Sequence, residues 1–526
     1  MADIVLINPR FEISYWGLEH AMPFLGVKAV MPVANLALLA ALTPAGHSIT
    51  LIDENIEPID FARCARADIV GLTGMNVQRQ RMNEILHELK RRGVFTVVGG
   101  PWATVQESDF ADLADVIFIG EAEQTWPRFL GEWGEGRHQT RYEQAERTDM
   151  ATVPAPRLDL MRMKDYAYGS VQFSRGCPFE CEFCDIIVTF GRRPRIKSSA
   201  QVLAELDALV AAGQRFAFIV DDNLIGNKKA IKQVLRDVVG WQVEHGYPLM
   251  FATEASIDLA DDDDLMQLMV EANISSVFVG IETPNEASLR ETKKFQNLRA
   301  RGGSMLDKVH RIQRAGMEVW CGIIVGFDND DATVFAAQSR FVREARIVCA
   351  MVNMLVAIPR TPLHTRLASE GRLTFSEDAE NCGGFGTNVV PLRISREALY
   401  DGYTELMREL YSLDAYFERL DGLYLDGRLQ LTQARRRYLR RHPLRWLQLN
   451  ARLLAEAAAI FMLLMRGVPD AALRREYRRR LIRFVWHRHE PQIIQYYAVK
   501  CAMHYHAHRM VQELLSRPRF SSRVAA

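Results

Sequence analysis

Short apolar runs, each closed by glycine, proline or aspartate, recur in the first 140 residues at 3–9, 48–53, 67–74, 95–101 and 115–120. Runs of that length ending at breakers predict strands. Between them the apolar positions take the helical period, as over 82–92. Strand–helix alternation predicts an α/β fold, a doubly wound parallel sheet. Ligands of such sheets bind beyond the carboxyl ends of the strands. Gly71, Gly99 and Gly120 fall there. Each alone reads as a tight turn; together they suit a ligand that touches backbone. No G-x-G-x-x-G follows the first strand, which weakens a dinucleotide reading.

Residues 141–165 are polar and proline-punctuated, and read as a linker. A second α/β series starts at Val171 and continues to about 360. Its predicted strands are 216–221, 249–253, 276–281, 319–325 and 351–358, with helices such as 200–212 and 263–271. Repeated β-α units predict a full or partial (β/α) barrel with its chemistry at strand ends. From about 395 the pattern is helical throughout. The expected organisation is a sheet domain over 1–140, a linker over 141–165, a barrel over 166–394 and an α-helical domain over 395–526.

The 526 residues carry 65 Lys+Arg and 65 Asp+Glu, so net charge makes no global case for nucleic acid. The balance hides an asymmetry: 20 Lys/Arg lie between 435 and 523, against five acids. A basic tail on an acidic body changes the picture of its partners. The start lacks the basic and long apolar regions of a signal peptide. No window of ~18 residues is apolar without charge, so no span is expected. The longest apolar run, 453–465, is interrupted by Glu456. Three of eight cysteines lie within eight residues, which points to a cytosolic metal or redox site rather than disulfides.

Those three form Cys177-x3-Cys181-x2-Cys184. Thiolates are soft ligands for iron–sulfur, zinc or copper(I). A structural zinc would want a fourth ligand nearby, and no Cys or His follows for a long stretch. Three thiolates leave one coordination position open. The spacing, with Phe183 before the last cysteine, resembles the radical S-adenosylmethionine (SAM) enzymes. The resemblance implies a [4Fe–4S] cluster on the three cysteines, with SAM at its open iron, cleaved by one electron to a 5′-deoxyadenosyl radical. The preceding sheet domain resembles the cobalamin-binding domain of one large subclass. Cys184-Asp185-Ile186-Ile187, Gly191–Arg195, Asp221–Asn227 and Thr253-Glu254-Ala255-Ser256 are similar to members with an extra helical C-terminal domain. That set includes methyltransferases acting on the A ring of hopanoids.

The resemblance supplies the remaining candidates. Gly322 and Gly326, in Gly322-Ile323-Ile324-Val325-Gly326, would lie along the adenosine; ordinary strand-end geometry is the alternative. Glu254 and Glu282, at predicted strand ends, would hold the SAM ribose or amino group, or form a solvated ion pair at the barrel rim. Asp222, with Asp221 and Asn223, would contact SAM or substrate, or cap a helix. Arg192, Arg193, Arg195 and Lys197 would face an anionic group or solvent. For cobalamin, the candidates are Gly71, Met75, Gly99, Gly100, Gly120 and Glu121. No D-x-H-x-x-G occurs, so no histidine is expected on cobalt. Only Cys64 lies in the N-terminal domain, which excludes the three further cysteines of a methylthiotransferase.

In the tail, Trp446–Met465 is apolar between arginine clusters, the pattern of a helix lying on anionic lipid or of a core helix with a basic face. No RNA-binding motif accompanies it, so no nucleic acid is expected. His487, His489, His504, His506 and His508 are read as surface or interface residues. The expected activity is cobalamin-dependent C-methylation of an unactivated carbon of a lipid, a hopanoid-like A ring. The expected partners are that lipid and an electron donor such as flavodoxin or ferredoxin, and the expected place is the cytoplasm, peripheral on the inner membrane face. The alternatives are a radical oxidase or cyclase without methyl transfer, and a zinc-dependent or RNA-binding module.

Overall fold

The structure is a computed structural model and describes residues 1–298, 303–374 and 385–516. Cys382 and the arginines at 517, 519 and 523 lie outside the described residues. Six strands, β1 (Asp3–Asn8), β2 (Ser48–Asp53), β3 (Ile69–Thr73), β4 (Thr96–Gly99), β5 (Val116–Ile119) and β6 (Arg141–Glu143), form a parallel sheet in the order 2-1-3-4-5-6. Strand period two sends Ile4 and Leu6 to one face and Val5 and Ile7 to the other, and each face carries its own apolar cluster. That is the doubly wound arrangement, with its topological switch between β1 and β3. The sheet extends past the expected boundary at 140, because Arg141–Glu143 pairs with β5 as an edge strand.

The second sheet holds β7 (Gly169–Val171), β10 (Phe216–Ile219), β11 (Met250–Glu254), β12 (Ile274–Glu282), β13 (Glu318–Val325) and β14 (Ala350–Met354), all parallel, in the order 7-10-11-12-13-14. It is an open partial barrel. A two-stranded ribbon, β8 (Ser174–Arg175) with β9 (Arg195–Ile196), brackets the cysteine loop. Several of the helices that follow these strands start from side-chain caps, for example Ser198 accepting from the Gln201 amide and Asn227 from the Ala230 amide.

The helical tail is not a separate body. One continuous apolar cluster runs from Leu18 through the barrel strands to Leu514. The Pro491–Ser516 helix buries Tyr497, Cys501 and His504 within it. His504 accepts from or donates to the Tyr477 hydroxyl at 2.6 Å, and burial pulls its pKa down to about 3. His506, also buried, contacts the Ser14 carbonyl, and burial lowers it to about 4. The surface reading of these two histidines is therefore corrected: the tail's histidines at 504 and 506 are neutral core residues, placed there by packing that a sequence does not display. The Pro443–Gly467 helix is, by length and composition, apolar enough to cross a membrane, although Arg452 and Glu456 interrupt its apolar run. Leu453, Ala457, Ile460 and Leu464 pack it onto the molecule, while Trp446, Leu447, Leu454 and Met462 stay exposed.

Candidate functional site

The cysteine loop is built by its neighbours. Gly176 sits at φ +98, and a Cβ there would lie 2.9 Å from the Gly191 carbonyl, so only glycine allows this approach. The Gly176 amide donates to Asp222 at 2.7 Å, and the Cys177 amide to the Gly191 carbonyl at 3.2 Å. Asn223 donates to Cys177 Sγ at 3.9 Å and to Ser256 Oγ at 3.1 Å, which ties the loop to the ends of β10 and β11. Gln296 donates to Cys181 Sγ at 3.4 Å, while its own Oε1 is buried without a partner. The three thiols are free, and burial raises Cys177 and Cys184. Buried thiols become thiolates where a cation offsets burial, which iron does. Among the described residues no three His, Cys, Asp or Glu gather on one metal ion. A cubane does not ask for that, since each thiolate takes a different iron.

Beside the loop lies a group of carboxylates. Burial pushes Glu254, the last residue of β11, up to about 8, with Asp222 and Asp221 adding repulsion. Burial likewise lifts Asp221 to about 7 and Asp222 to about 6. Asp221 accepts from the Phe173 amide and Ser174 hydroxyl, so it holds the start of the loop. Among the described residues the Glu254 carboxylate makes no hydrogen bond or ion pair, so the alternative of a rim ion pair is absent there. Such a group calls for a cation, and SAM brings a sulfonium and an ammonium. Glu282 behaves otherwise: it sits at φ +60 and pairs with Lys294 at 2.6 Å. A glutamate in the left-handed region is uncommon. The pair needs Gly280, where a Cβ would lie 2.7 Å from Lys294 Nζ. Burial pulls the Lys294 ammonium down, but Glu282 and the Cys181 and Cys184 thiols outweigh it and hold it above its ordinary range. No spacing in the sequence marked Lys294, Gln296, Gly176 or Gly280 for this site.

The sheet domain meets the loop through Glu121. This carboxylate, just beyond β5, pairs with Arg175 at 2.8 Å and Arg195 at 3.0 Å and accepts from the Thr148 amide at 2.9 Å. Burial alone would raise it, but those donors outweigh burial and hold it below the carboxylate range. Lys197, which pairs with Glu205, is buried, and Arg195 is partly buried against Glu121, so neither is a solvated charge. Glu121→Gln leaves Arg175 and Arg195 short of a buried partner and is expected to lower stability by about 3–5 kcal/mol, read by urea denaturation. An unchanged midpoint would show that Glu123, which also pairs with Arg175, suffices.

The other candidates divide. Gly100 at φ +96 packs against Thr73 Oγ1, Gly120 at φ +78 faces open space, and Met75 is 40 % exposed, all at the carboxyl ends of β3, β4 and β5. Gly99 ends β4 with Phe118 3.2 Å from its missing Cβ. These ends are a shallow, glycine-lined surface near the switch point, the kind of cradle a planar macrocycle fits, and the segments 74–78 and 120–124 hold no histidine. Gly71 does not belong there: it lies within β3, its Cβ space taken by Leu6 and Val97. Gly322 lies under Phe278, whose Cζ is 3.1 Å from the missing Cβ, on the barrel interior. Gly326, at φ +105, turns the chain under Leu399 and donates to Asp330.

Comparison with known proteins agrees with this arrangement. Residues 25–130 match the B12 binding domain, 171–336 the radical SAM superfamily, and 361–519 a domain of unknown function. An uncharacterized methyltransferase of Synechocystis sp. is 40% identical over 79% of this chain and 77% of its own length. The hopanoid C-2 methylase of Rhodopseudomonas palustris is 32% identical over 80% and 78%. In fold, the chain is similar to the cobalamin-dependent radical enzyme OxsB with cobalamin and SAM bound (TM-score 0.60, 13% identity, 98% of this chain and 80% of that one). It is also similar to the methyltransferase TsrM of Kitasatospora setae with cobalamin and a [4Fe–4S] cluster (TM-score 0.55, 16% identity, 70% and 75%). With a sheet whose glycine ends suit a corrin, three free thiols on one loop and a cation-seeking carboxylate beside them, the chain belongs to the cobalamin-dependent radical SAM methyltransferases.

Proposed function

We propose that the chain methylates an unactivated carbon of a lipid, the A ring of a hopanoid. The observation that carries the lipid reading is the Pro443–Gly467 helix, which leaves Trp446, Leu447, Leu454 and Met462 exposed between arginine clusters. An apolar face with basic flanks suits a peripheral position on anionic lipid. The hopanoid reading draws on the similarity to the C-2 methylase. An unactivated C–H has no acidic proton, so the cofactors supply radical and methyl-transfer chemistry that side chains cannot.

In this reading Cys177, Cys181 and Cys184 hold the cluster. Glu254 takes a cationic group of SAM, and Asp222 positions the cysteine loop through the Gly176 amide. Glu282, fixed by Lys294, faces the SAM ribose or amino group, and Gly322 leaves room along the adenosine. Gly99, Gly100, Gly120 and Met75 carry the corrin, with Glu121 as the clamp between the two halves of the site. Gly326 turns the end of the adenosine-side strand. The chain's own work is to bind, orient and exclude water, with electrons from a flavodoxin- or ferredoxin-like donor.

The test is mass spectrometry of hopanoids from a host given this chain: a product heavier by one CH2, with the added carbon on the A ring, is expected. A product of unchanged carbon count and altered hydrogen count would overturn methyl transfer in favour of an oxidase or cyclase.

A further inference from the structure

A cavity of about 610 Å³ opens at the end of the barrel opposite the cysteine loop. Phe216, Phe218, Met250, Ala252 and Trp320 line it from the barrel strands. Leu449, Leu453, Ile460 and Leu463 of the Pro443–Gly467 helix close its outer side. Its lining also includes Thr253, the residue before Glu254, and Phe278, whose ring lies against Gly322. The cavity therefore reaches from the tail to within one residue of the acidic group at the active end. Leu463 lines it and is also 38 % exposed, so this apolar side chain touches both the cavity and the outside of the helix.

Three arginines, Arg215, Arg435 and Arg452, line its tail side. Arg435 is buried and donates to Gln492, and among the described residues no carboxylate pairs with it. Burial pulls its pKa down to about 10. Arg215 and Arg452 share the single carboxylate of Glu456, at 3.1 Å each. A buried guanidinium without an anionic partner is costly, and oxygen acceptors on a ligand would offset that cost. The interior asks for an apolar body and the arginine-lined side for an oxygen-bearing head. The volume lies within the range of small-molecule sites, roughly 300–1,000 Å³.

We propose that this cavity is the acceptor site and that it takes an elongated lipid, apolar end first, with its oxygen-bearing head at Arg435 and Arg452. This rests on the reading of the chain as a lipid methyltransferase and adds where and in which direction the lipid lies. The apolar end stops beside Thr253 and Phe278, next to the carboxylate that faces SAM, while the head stays at the helical tail. The tail is thus a wall of the substrate site, and the exposed face of its helix is the way in from a bilayer.

The test uses the full chain and cis-parinaric acid, an apolar chain with a carboxylate head that accepts energy from tryptophan. One site per chain is expected, with Trp320 and Trp16 emission quenched on binding and restored by a hopanoid with a hydroxylated side chain. Arg435→Gln is expected to weaken parinaric acid about tenfold, the loss of one charge-assisted hydrogen bond, and to leave the neutral parinaryl alcohol within about threefold. Ala252→Phe, which fills the cavity, is expected to remove both probes. Arg452→Gln, on the tail side, serves if Ala252→Phe does not fold, and is expected to weaken the acid alone. Unchanged binding in Arg435→Gln together with Arg452→Gln or Ala252→Phe overturns the proposal. So does lost binding with hopanoid methylation at the wild-type rate, an outcome that leaves the methyltransferase reading standing. Binding as expected with no lipid methylated supports the cavity as a lipid site and overturns the proposed substrate.

Discussion

Replacing Cys177, Cys181 and Cys184 together by alanine is expected to remove all cluster iron and all formation of 5′-deoxyadenosine from SAM. The three thiols sit on one loop fixed by Gly176, Asn223 and Gln296, and the described cysteines elsewhere are buried in the apolar interior. Among the described residues no other thiol reaches this side of the barrel. Anaerobic reconstitution of the wild-type chain should give roughly four irons, with matching sulfide and the visible absorbance of a cubane. The triple variant should give background iron and keep cobalamin, because the sheet-domain ends are independent of the loop's thiols. Its far-ultraviolet circular dichroism should match the wild type. Zinc in place of iron in the wild type would defeat the assignment of the loop. Iron retained by the triple variant would move the cluster elsewhere.

The second large effect is expected at Glu254. Its carboxylate is unpaired, and burial beside Asp222 and Asp221 raises it to about 8. A carboxyl raised in the folded chain binds more protons than in the unfolded one between its ordinary value and about 8. Stability of the cofactor-free chain therefore falls as pH rises through that window. Glu254→Gln removes the penalty. The variant should gain on the order of 2 kcal/mol over the wild type at pH 8, with the gap closing toward pH 5, read by urea denaturation. SAM affinity should move the opposite way. The ionised carboxylate is the form that holds a cation, so wild-type affinity rises with pH toward 8, and Glu254→Gln should lose about 100-fold, the worth of one strong charge-assisted contact. Equilibrium dialysis of labelled SAM on cluster-loaded protein measures this. Wild-type affinity in the variant would remove Glu254 from the SAM site.

Glu282 shows why the two glutamates differ, although both end a strand. Thr253-Glu254 and Ile281-Glu282 look alike in sequence. Lys294, twelve residues further on, returns through a short helix to neutralise Glu282 and leaves Glu254 bare. Gly71 shows the reverse error: it resembles the strand-end glycines, yet β3 continues two residues past it and buries it under Leu6. A glycine pattern marks where a chain turns or packs closely without telling which.

The sequence by itself determined the order of strands and helices, because hydrophobic period and breaker residues are local. It marked the cysteine loop as the candidate metal site, because three soft ligands within eight residues need no distant partner. The parallel sheets, the barrel and the basic helical tail followed from the same local signals. Tertiary structure alone decided the rest. It set the tail into the barrel's core, buried His504 and His506, and closed a cavity between strand residues and a helix some 200 residues away in sequence. It also chose the ion pairs Glu121–Arg175 and Glu282–Lys294. Those outcomes depend on which surfaces meet across long loops, and burial, charge pairing and cavity shape are properties of that meeting and of no single segment.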